Sequence, residues 1–264
     1  MRVNNLPALL CFLIVSLSAS PARDLLAHSY FVVWNVGQGQ WTTAIDAETC
    51  RHFDMGGEFF PLRRLKALCS SKRNEIFLSH WDWDHIGGLA KWRLDSCIVM
   101  PPLGKTSERK KLLIEKFTPC GSKSDSAEKT STTKFLCVDS KRNSNCETSL
   151  YAWKPTIAKN TNEQSQVISF KEFLIPGDSP KTEEVYWENQ PWVAHNKVLI
   201  LGHHGSRTST SSELLDRMPR LTMAIASARW QRYQHPHAET VALLRKRHVA
   251  LLRTEDWGNL WFEL

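Results

Sequence analysis

The chain lacks an apolar run long enough to cross a membrane. Its longest, Leu6 to Leu17, is interrupted by Pro7 and Ser16 and falls short of the roughly 20 residues that a spanning helix requires. A multispan channel is therefore excluded from these residues. No two of the seven cysteines stand at C-x-x-C spacing, which removes the common structural zinc motifs. No internal repeat is visible, so nothing points to a repeat architecture. A convincing Ser-His-Asp set is also missing, which leaves hydrolysis through a side-chain nucleophile without a candidate.

What is present is ordinary in bulk and unusual in detail. Hydrophobic content of 42% and charged content of 23% are those of a globular protein, and 264 residues can bury a proper core. The net charge of +7 favours a polyanionic partner, although bulk charge alone is a weak argument. Arg2, the apolar run and the small residues Ser18-Ala19-Ser20-Pro21-Ala22 form the pattern of a secretory signal peptide over residues 1–22, with a single N-terminal anchor as the alternative. The chain is thus expected to be exported, periplasmic or secreted, or held at a membrane by that segment. Cys11 falls inside it, leaving Cys50, Cys69, Cys97, Cys120, Cys137 and Cys146. In an oxidising compartment some of these would pair; Cys137 and Cys146 could close a short loop, and the connectivity stays open.

Strand-like runs at Tyr30–Val36 and Trp41–Ile45 read as a hairpin, and Leu62, Leu65 and Leu68 fall at helical spacing. Further strands are expected at 76–78, 97–100, 150–153, 167–170, 172–175, 198–201, 223–226, 249–253 and 259–262, with a helix over 238–247. From about 105 to 145 Lys, Ser, Thr and Asn dominate. That stretch reads as a polar surface insertion, with a basic patch at Arg109-Lys110-Lys111 and a weak strand at Phe135–Val138. The grouping of strands with helices between them suggests two sheets flanked by helices.

Residues 76–88, Ile-Phe-Leu-Ser-His-Trp-Asp-Trp-Asp-His-Ile-Gly-Gly, stand apart. A buried strand delivers His80, Asp82, Asp84 and His85, after which Gly87-Gly88 should turn the backbone and a helix should begin near Leu89. Imidazole and carboxylate together suit zinc, manganese or iron better than calcium. Two other strand ends also finish in ligand-type residues, Asp178 and His203-His204.

The signature from Ser79 to Gly88 resembles the metal-binding motif of the metallo-β-lactamase superfamily, in the variant whose second His is Asp. Taken with Val36-Gly37-Gln38-Gly39, Asp54-Met55-Gly56, Asn162-Glu163-Gln164-Ser165, Gly177-Asp178, His203-His204-Gly205-Ser206 and His235-Pro236-His237, it is similar to the C-terminal hydrolase domain of ComEC-type competence proteins. The likeness runs from about Tyr30 to Leu264. It implies an α/β fold, the αββα sandwich, over 30–264, with one or two divalent ions, Zn or Mn. It also implies hydrolysis of phosphodiesters in DNA, with single-stranded or duplex DNA as partner and a membrane DNA-uptake channel as a further one. Carried over, His80 and Asp82 would hold one ion and Asp84 and His85 a second, with Asp178 bridging. His203 would complete the second site and His204 would stand near substrate. Asp54 would brace the metal loop, while Gln38 belongs to the glycine motif and Asn162 stands where many relatives use another His. Ser206 and Ser209 could contact phosphate, and Asp84, His204, His235 and His237 would serve the chemistry.

Eight Lys or Arg between Arg217 and Arg253 oppose one acid, Glu239, a basic segment suited to a phosphate backbone. Trp81, Trp83 and Trp230 are candidates for base stacking. Asn35, Gln40 and Gln231 depart from residues common in that family. Two alternatives remain: a small-molecule ester or nucleotide hydrolase of the same fold, and a DNA-binding module that has lost activity.

Overall fold

The computed structural model describes residues 28–121 and 150–264; the proposed signal segment, the Phe135–Val138 strand and the Cys137–Cys146 pair lie outside them. Among the described residues one sheet is built from β1 (Tyr30–Val33), β2 (Thr42–Ile45), β3 (Thr49–Phe53), β4 (Arg73–Phe77), β5 (Ser96–Met100), β6 (Thr118–Pro119) and β13 (Leu260–Glu263), in the order β13-β1-β2-β3-β4-β5-β6. The second contains β7 (Leu150–Trp153), β8 (Val167–Phe170), β9 (Phe173–Ile175), β10 (Val198–Ile200), β11 (Met223–Ala226) and β12 (Ala250–Arg253), in the order β12-β11-β10-β9-β8-β7.

Side-chain alternation explains why the sheets stack. Successive residues of a strand point to opposite faces, and here both faces are apolar. Phe31 and Val33 of β1, Phe173 and Ile175 of β9 and Ile200 of β10 meet between the sheets. Val32 and Ile76 instead face outward onto α1 (Leu62–Cys69), through Leu65 and Cys69. On the far side Leu174 and Leu199 face α4 (Lys181–Trp187), α5 (Ser212–Asp216) and α7 (Ala238–Lys246), through Trp187, Leu214 and Leu244. Three apolar layers therefore separate four layers of structure: helices, sheet, sheet, helices. Phe31 stacks on Phe173 across the midplane, with ring centroids 3.9 Å apart. Removing such a ring costs about 3–5 kcal/mol.

Topology sets the place of the site. β3, β4 and β5 run parallel, as do β9, β10, β11 and β12. Their carboxyl ends therefore emerge at one edge of each sheet, the usual place for a ligand site in such sheets. Two disulfides, Cys50–Cys69 and Cys97–Cys120, tie β3 to α1 and β5 to the segment beyond β6. No helix among the described residues is long and apolar enough to cross a membrane.

The first strand ends at Val33 rather than Val36. The larger difference lies at the metal motif, where the helix does not wait for Leu89. It opens at Trp83 as α2 (Trp83–Ile86) and continues as a 3₁₀ turn over Gly87–Lys91. The carbonyl of Asp82 accepts from both His85 N and Ile86 N, so Asp84 and His85 lie on the helical turn. Gly87 is itself helical. Gly88 is required by crowding, since a Cβ there would come within 2.5 Å of the Met55 carbonyl and the Trp41 ring. The basic patch at 109–111 lies on α3 (Glu108–Glu115). Sequence patterning gave no sign of α4, α5, α6 (Trp230–Tyr233) or α8 (Thr254–Trp257), all too short for a periodic signal.

His52 is fully buried, its ring held between Thr43 Oγ1 and Asn74 Oδ1, each at 3.2 Å. Burial outweighs the Asn74 hydrogen bond and pushes its pKa down to about 4. The unfolded chain then takes up a proton near pH 6.5 that the folded chain refuses, so acidification favours unfolding. Stability should fall by about 2 kcal/mol from this group between pH 6.5 and pH 5. Chemical denaturation of wild type and His52→Gln across that range measures it; the variant should lose that part of the pH dependence.

Candidate metal centre

The site begins with a buried carboxylate. Asp54 follows the end of β3 with φ 52°, a left-handed conformation that Asp tolerates better than most residues. Its Oδ1 accepts from Ser79 N at 2.7 Å, and its Oδ2 accepts from Ser79 Oγ at 2.8 Å, Gln40 Nε2 at 2.9 Å and His85 Nδ1 at 2.8 Å. Gln40 thus supplies a donor where an acid would oppose Asp54, which gives one departure from the expected pattern a local reason.

These bonds fix the protons of three imidazoles. A carboxylate only accepts, so His85 Nδ1 must carry hydrogen and its Nε2 is left to face the site. Ser79 Oγ gives its proton to Asp54 and therefore accepts from His80 Nδ1 at 2.9 Å, which frees His80 Nε2. The Ser227 carbonyl accepts from His204 Nδ1 at 3.1 Å, which turns His204 Nε2 toward the site, where it donates to Asp84 Oδ2.

The three Nε2 atoms converge on carboxylates. His85 Nε2 lies 3.0 Å from Asp178 Oδ1, and His204 Nε2 lies 3.1 Å from Asp84 Oδ2. His80 Nε2 is 3.5 Å from Asp82 Oδ2 and 3.8 Å from Asp178 Oδ2. His80 Nε2, His85 Nε2 and Asp178 Oδ1 are buried and hydrogen-bond to nothing; the 3.0 Å approach is near in distance but not aligned. Lone pairs of neutral rings facing carboxylate oxygens need a cation between them, so the donor set fits a metal ion. Among the described residues two groups have metal-ligating separations: His80, His85 and Asp178, and Asp84, His85 and His204.

In place of an ion, a second proton on the His85 ring answers the same demand for positive charge. Burial alone would lower the His85 pKa, but the charges of Asp178 and Asp54 hold it well above its usual range. Burial opposes ionisation of Asp178 and Asp84, yet His85 and His204 hold both carboxyls well below theirs. Asp82 is lowered by the approach of His80, against burial, with Lys110 nearby.

Not every expected residue reaches this point. His204, expected near substrate, joins Asp84 and His85, while His203 stands further out. His203 is half-exposed, with Nε2 3.7 Å from Asp178 and Nδ1 beside Thr208 Oγ1 and Asn162 Nδ2. His237 caps α7, accepting from Glu239 N, so its ring serves the helix. Ser209 is fully buried and donates to the Ser179 carbonyl, which takes it away from phosphate. Ser206 is occupied with Thr208. His235 remains at the rim, its Nδ1 3.3 Å from Gln38 Nε2 and its ring 6.1 Å from that of His203. Burial, helped by His204 and His203, pushes its pKa down to about 4.

No family model matches the chain. Among solved structures it resembles a diphosphatase of the PhnP family, at 12% identity and TM-score 0.50, covering 89% of this chain and 98% of that one. It also resembles the metallo-β-lactamase fold protein YhfI of Bacillus subtilis, again at 12% identity and TM-score 0.50, covering 89% of this chain and 100% of that one. The chain has the metallo-β-lactamase fold. Part of it is similar to ComE operon protein 3 of Bacillus subtilis (strain 168), 31% identical over 90 residues, which are 34% of this chain and 12% of that protein. Competence protein ComA of Neisseria gonorrhoeae is 34% identical over 92 residues, 34% of this chain and 13% of that protein. The matched stretch thus spans only a small part of these curated relatives.

Around this candidate metal centre the charges are not distributed as the sequence suggested. Arg229 and Arg232 both pair with Glu58, at 3.1 and 2.7 Å, while Arg247 pairs with Asp216 and Arg253 with Asp256. Half of the eight cations in that segment are committed to acids. Trp81 is buried, whereas Trp83 and Trp230 are exposed.

An isosteric Asp54→Asn exchange keeps the space filled but replaces an acceptor of His85 Nδ1–H with an amide. It should weaken zinc or manganese binding by roughly 10–100-fold, measured by competition with a chromophoric chelator.

Proposed function

We propose that this chain is a metal-dependent phosphodiesterase that acts on DNA. The observation that carries the reading is the convergence of the His80, His85 and His204 Nε2 atoms on the carboxylates of Asp82, Asp84 and the buried Asp178, a donor set that suits divalent cations. His80, Asp82, Asp84, His85, Asp178 and His204 would hold one or two divalent ions, Zn or Mn. Such an ion makes water acidic enough to attack near neutral pH and offsets charge on phosphoryl oxygens.

The chain's own residues do the rest. Asp54 and Ser79 hold His85 and His80 in one tautomer. The Ser227 carbonyl orients His204. His235, neutral at physiological pH, is suited to hydrogen-bond a phosphate oxygen rather than to donate a proton as a strong acid. Gln38 fixes its ring, and His203 with Asn162 lines the open side.

The partial likeness to competence proteins supports DNA as substrate and a DNA-uptake channel as partner. The two disulfides support an oxidising compartment, in keeping with a signal peptide or anchor over 1–22. The single domain would span 30–264, with 105–145 as an insertion.

Labelled single- and double-stranded DNA incubated with the purified protein and Mn²⁺, Zn²⁺ or chelator tests this. Cleavage should require metal and vanish in an Asp84→Ala/His85→Ala variant. DNA retained without cleavage under any metal would point to a binding module. Turnover of small esters alone would point to a small-molecule hydrolase.

A further inference from the structure

Trp83 stands between two of the carboxylates that line the site, Asp82 and Asp84, yet 41% of it is exposed. Two cations from α3 lie over its ring: the Arg109 guanidinium at 5.1 Å from the centroid and Lys110 Nζ at 5.6 Å. Lys110 also reaches to 3.7 Å from Asp82 Oδ1, with its side chain only 16% exposed. Arg109 forms no ion pair with any described residue. Both cations occupy the first turn of α3, where the helix dipole disfavours positive charge. Helix stability therefore does not account for them.

The rest of α3 explains how they are held. Leu113 and Ile114, one turn further along, pack with Phe117 against the apolar cluster outside the first sheet. Lys116 Nζ binds the Leu89 carbonyl, and the Cys97–Cys120 bridge anchors the chain just beyond. The helix is pinned at its far end and presents its first turn to the motif. Contact with the indole face attracts each cation and limits where its charge can go, so little ordering remains to be done when an anion arrives.

We infer that Arg109 and Lys110, held over Trp83, grip a phosphate next to the scissile one, so that the site selects a polynucleotide over an isolated phosphodiester. This rests on the phosphodiesterase reading above. The grip is local: Lys111, the next cation on α3, pairs with Glu108 at 2.6 Å instead and lies outside the cluster. The basic segment after residue 217 spends half its cations on acids, so α3 is the cationic surface joined directly to the metal motif.

The test measures binding and turnover separately. A short fluorescent single-stranded oligonucleotide is titrated with the full chain in chelator at several salt concentrations, using wild type, Arg109→Ala, Arg109→Lys and Lys111→Ala. Arg109→Ala should reduce the salt dependence of binding by about one counterion and weaken binding roughly three- to tenfold. Arg109→Lys should recover part of the loss, and Lys111→Ala should have a clearly smaller effect. In turnover, Arg109→Ala should raise the KM for DNA relative to that for bis-p-nitrophenyl phosphate. Equal losses in Arg109→Ala and Lys111→Ala would mean that net charge alone attracts DNA, and would overturn the inference. So would an unchanged salt slope in Arg109→Ala, or a wild type that does not bind the oligonucleotide. Because binding is read in chelator, a wild type that binds as described but cleaves nothing would sink the phosphodiesterase reading and leave the clamp standing.

Discussion

Asp54 is buried, sits in a left-handed backbone conformation and receives hydrogen from Gln40, His85 and twice from Ser79. A buried carboxylate is tolerable only when its charge is met by donors, and here the donors come from three stretches of chain. Losing it would strand a buried backbone N–H, at a cost of about 1–3 kcal/mol. It would also release His85 from its tautomer. The same group thus closes the first sheet's edge and presents the ligand nitrogens, so folding and metal binding share one support.

Close approach reinforces that support. Met55 N donates to the His85 carbonyl and Gln40 N to the Asp84 carbonyl, laying the loop after β3 and the loop between β1 and β2 directly on the metal turn. A Cβ at Gly56 would come within 2.0 Å of the Asp84 backbone, so only glycine fits there. On the opposite sheet Gly177, with φ 57°, would meet the Ser79 side chain at 2.6 Å. The two sheet edges are held at contact distance, which is what lets Asp178 from one face His80 and His85 from the other.

Electrostatics divides the surface into two kinds of cation. Arg229 and Arg232 are bound to Glu58, whose carboxylate also accepts from Gln38 N. That cluster braces the loop carrying His235 rather than awaiting a partner. Arg109 rests on an aromatic ring instead, and such a contact leaves a cation's charge available to an anion; Lys110 shares that ring and also approaches Asp82.

Much of the site was legible in the residues themselves. His80, Asp82, Asp84 and His85 crowd into six positions after an apolar strand, and Asp178 and the His203-His204 pair end strands of their own; side-chain chemistry and local pattern suffice to mark them as candidates. The alternation along β1, β4, β9 and β10 likewise dictates two-faced burial, hence stacked sheets with helices outside. Other features depended on contacts between distant segments. That His204 rather than His203 meets Asp84 follows from two left-handed residues in the Gly202–Gly205 turn, which rotate adjacent rings in different directions. His237 and Ser209 looked like site residues but are consumed by a helix cap and a carbonyl. Arg229 and Arg232 share one glutamate more than 170 positions away, which offsets half of their charge. Sequence records which groups are available; only the packed chain decides which lone pairs, protons and charges are already spent, because hydrogen bonds and ion pairs are made by proximity in space.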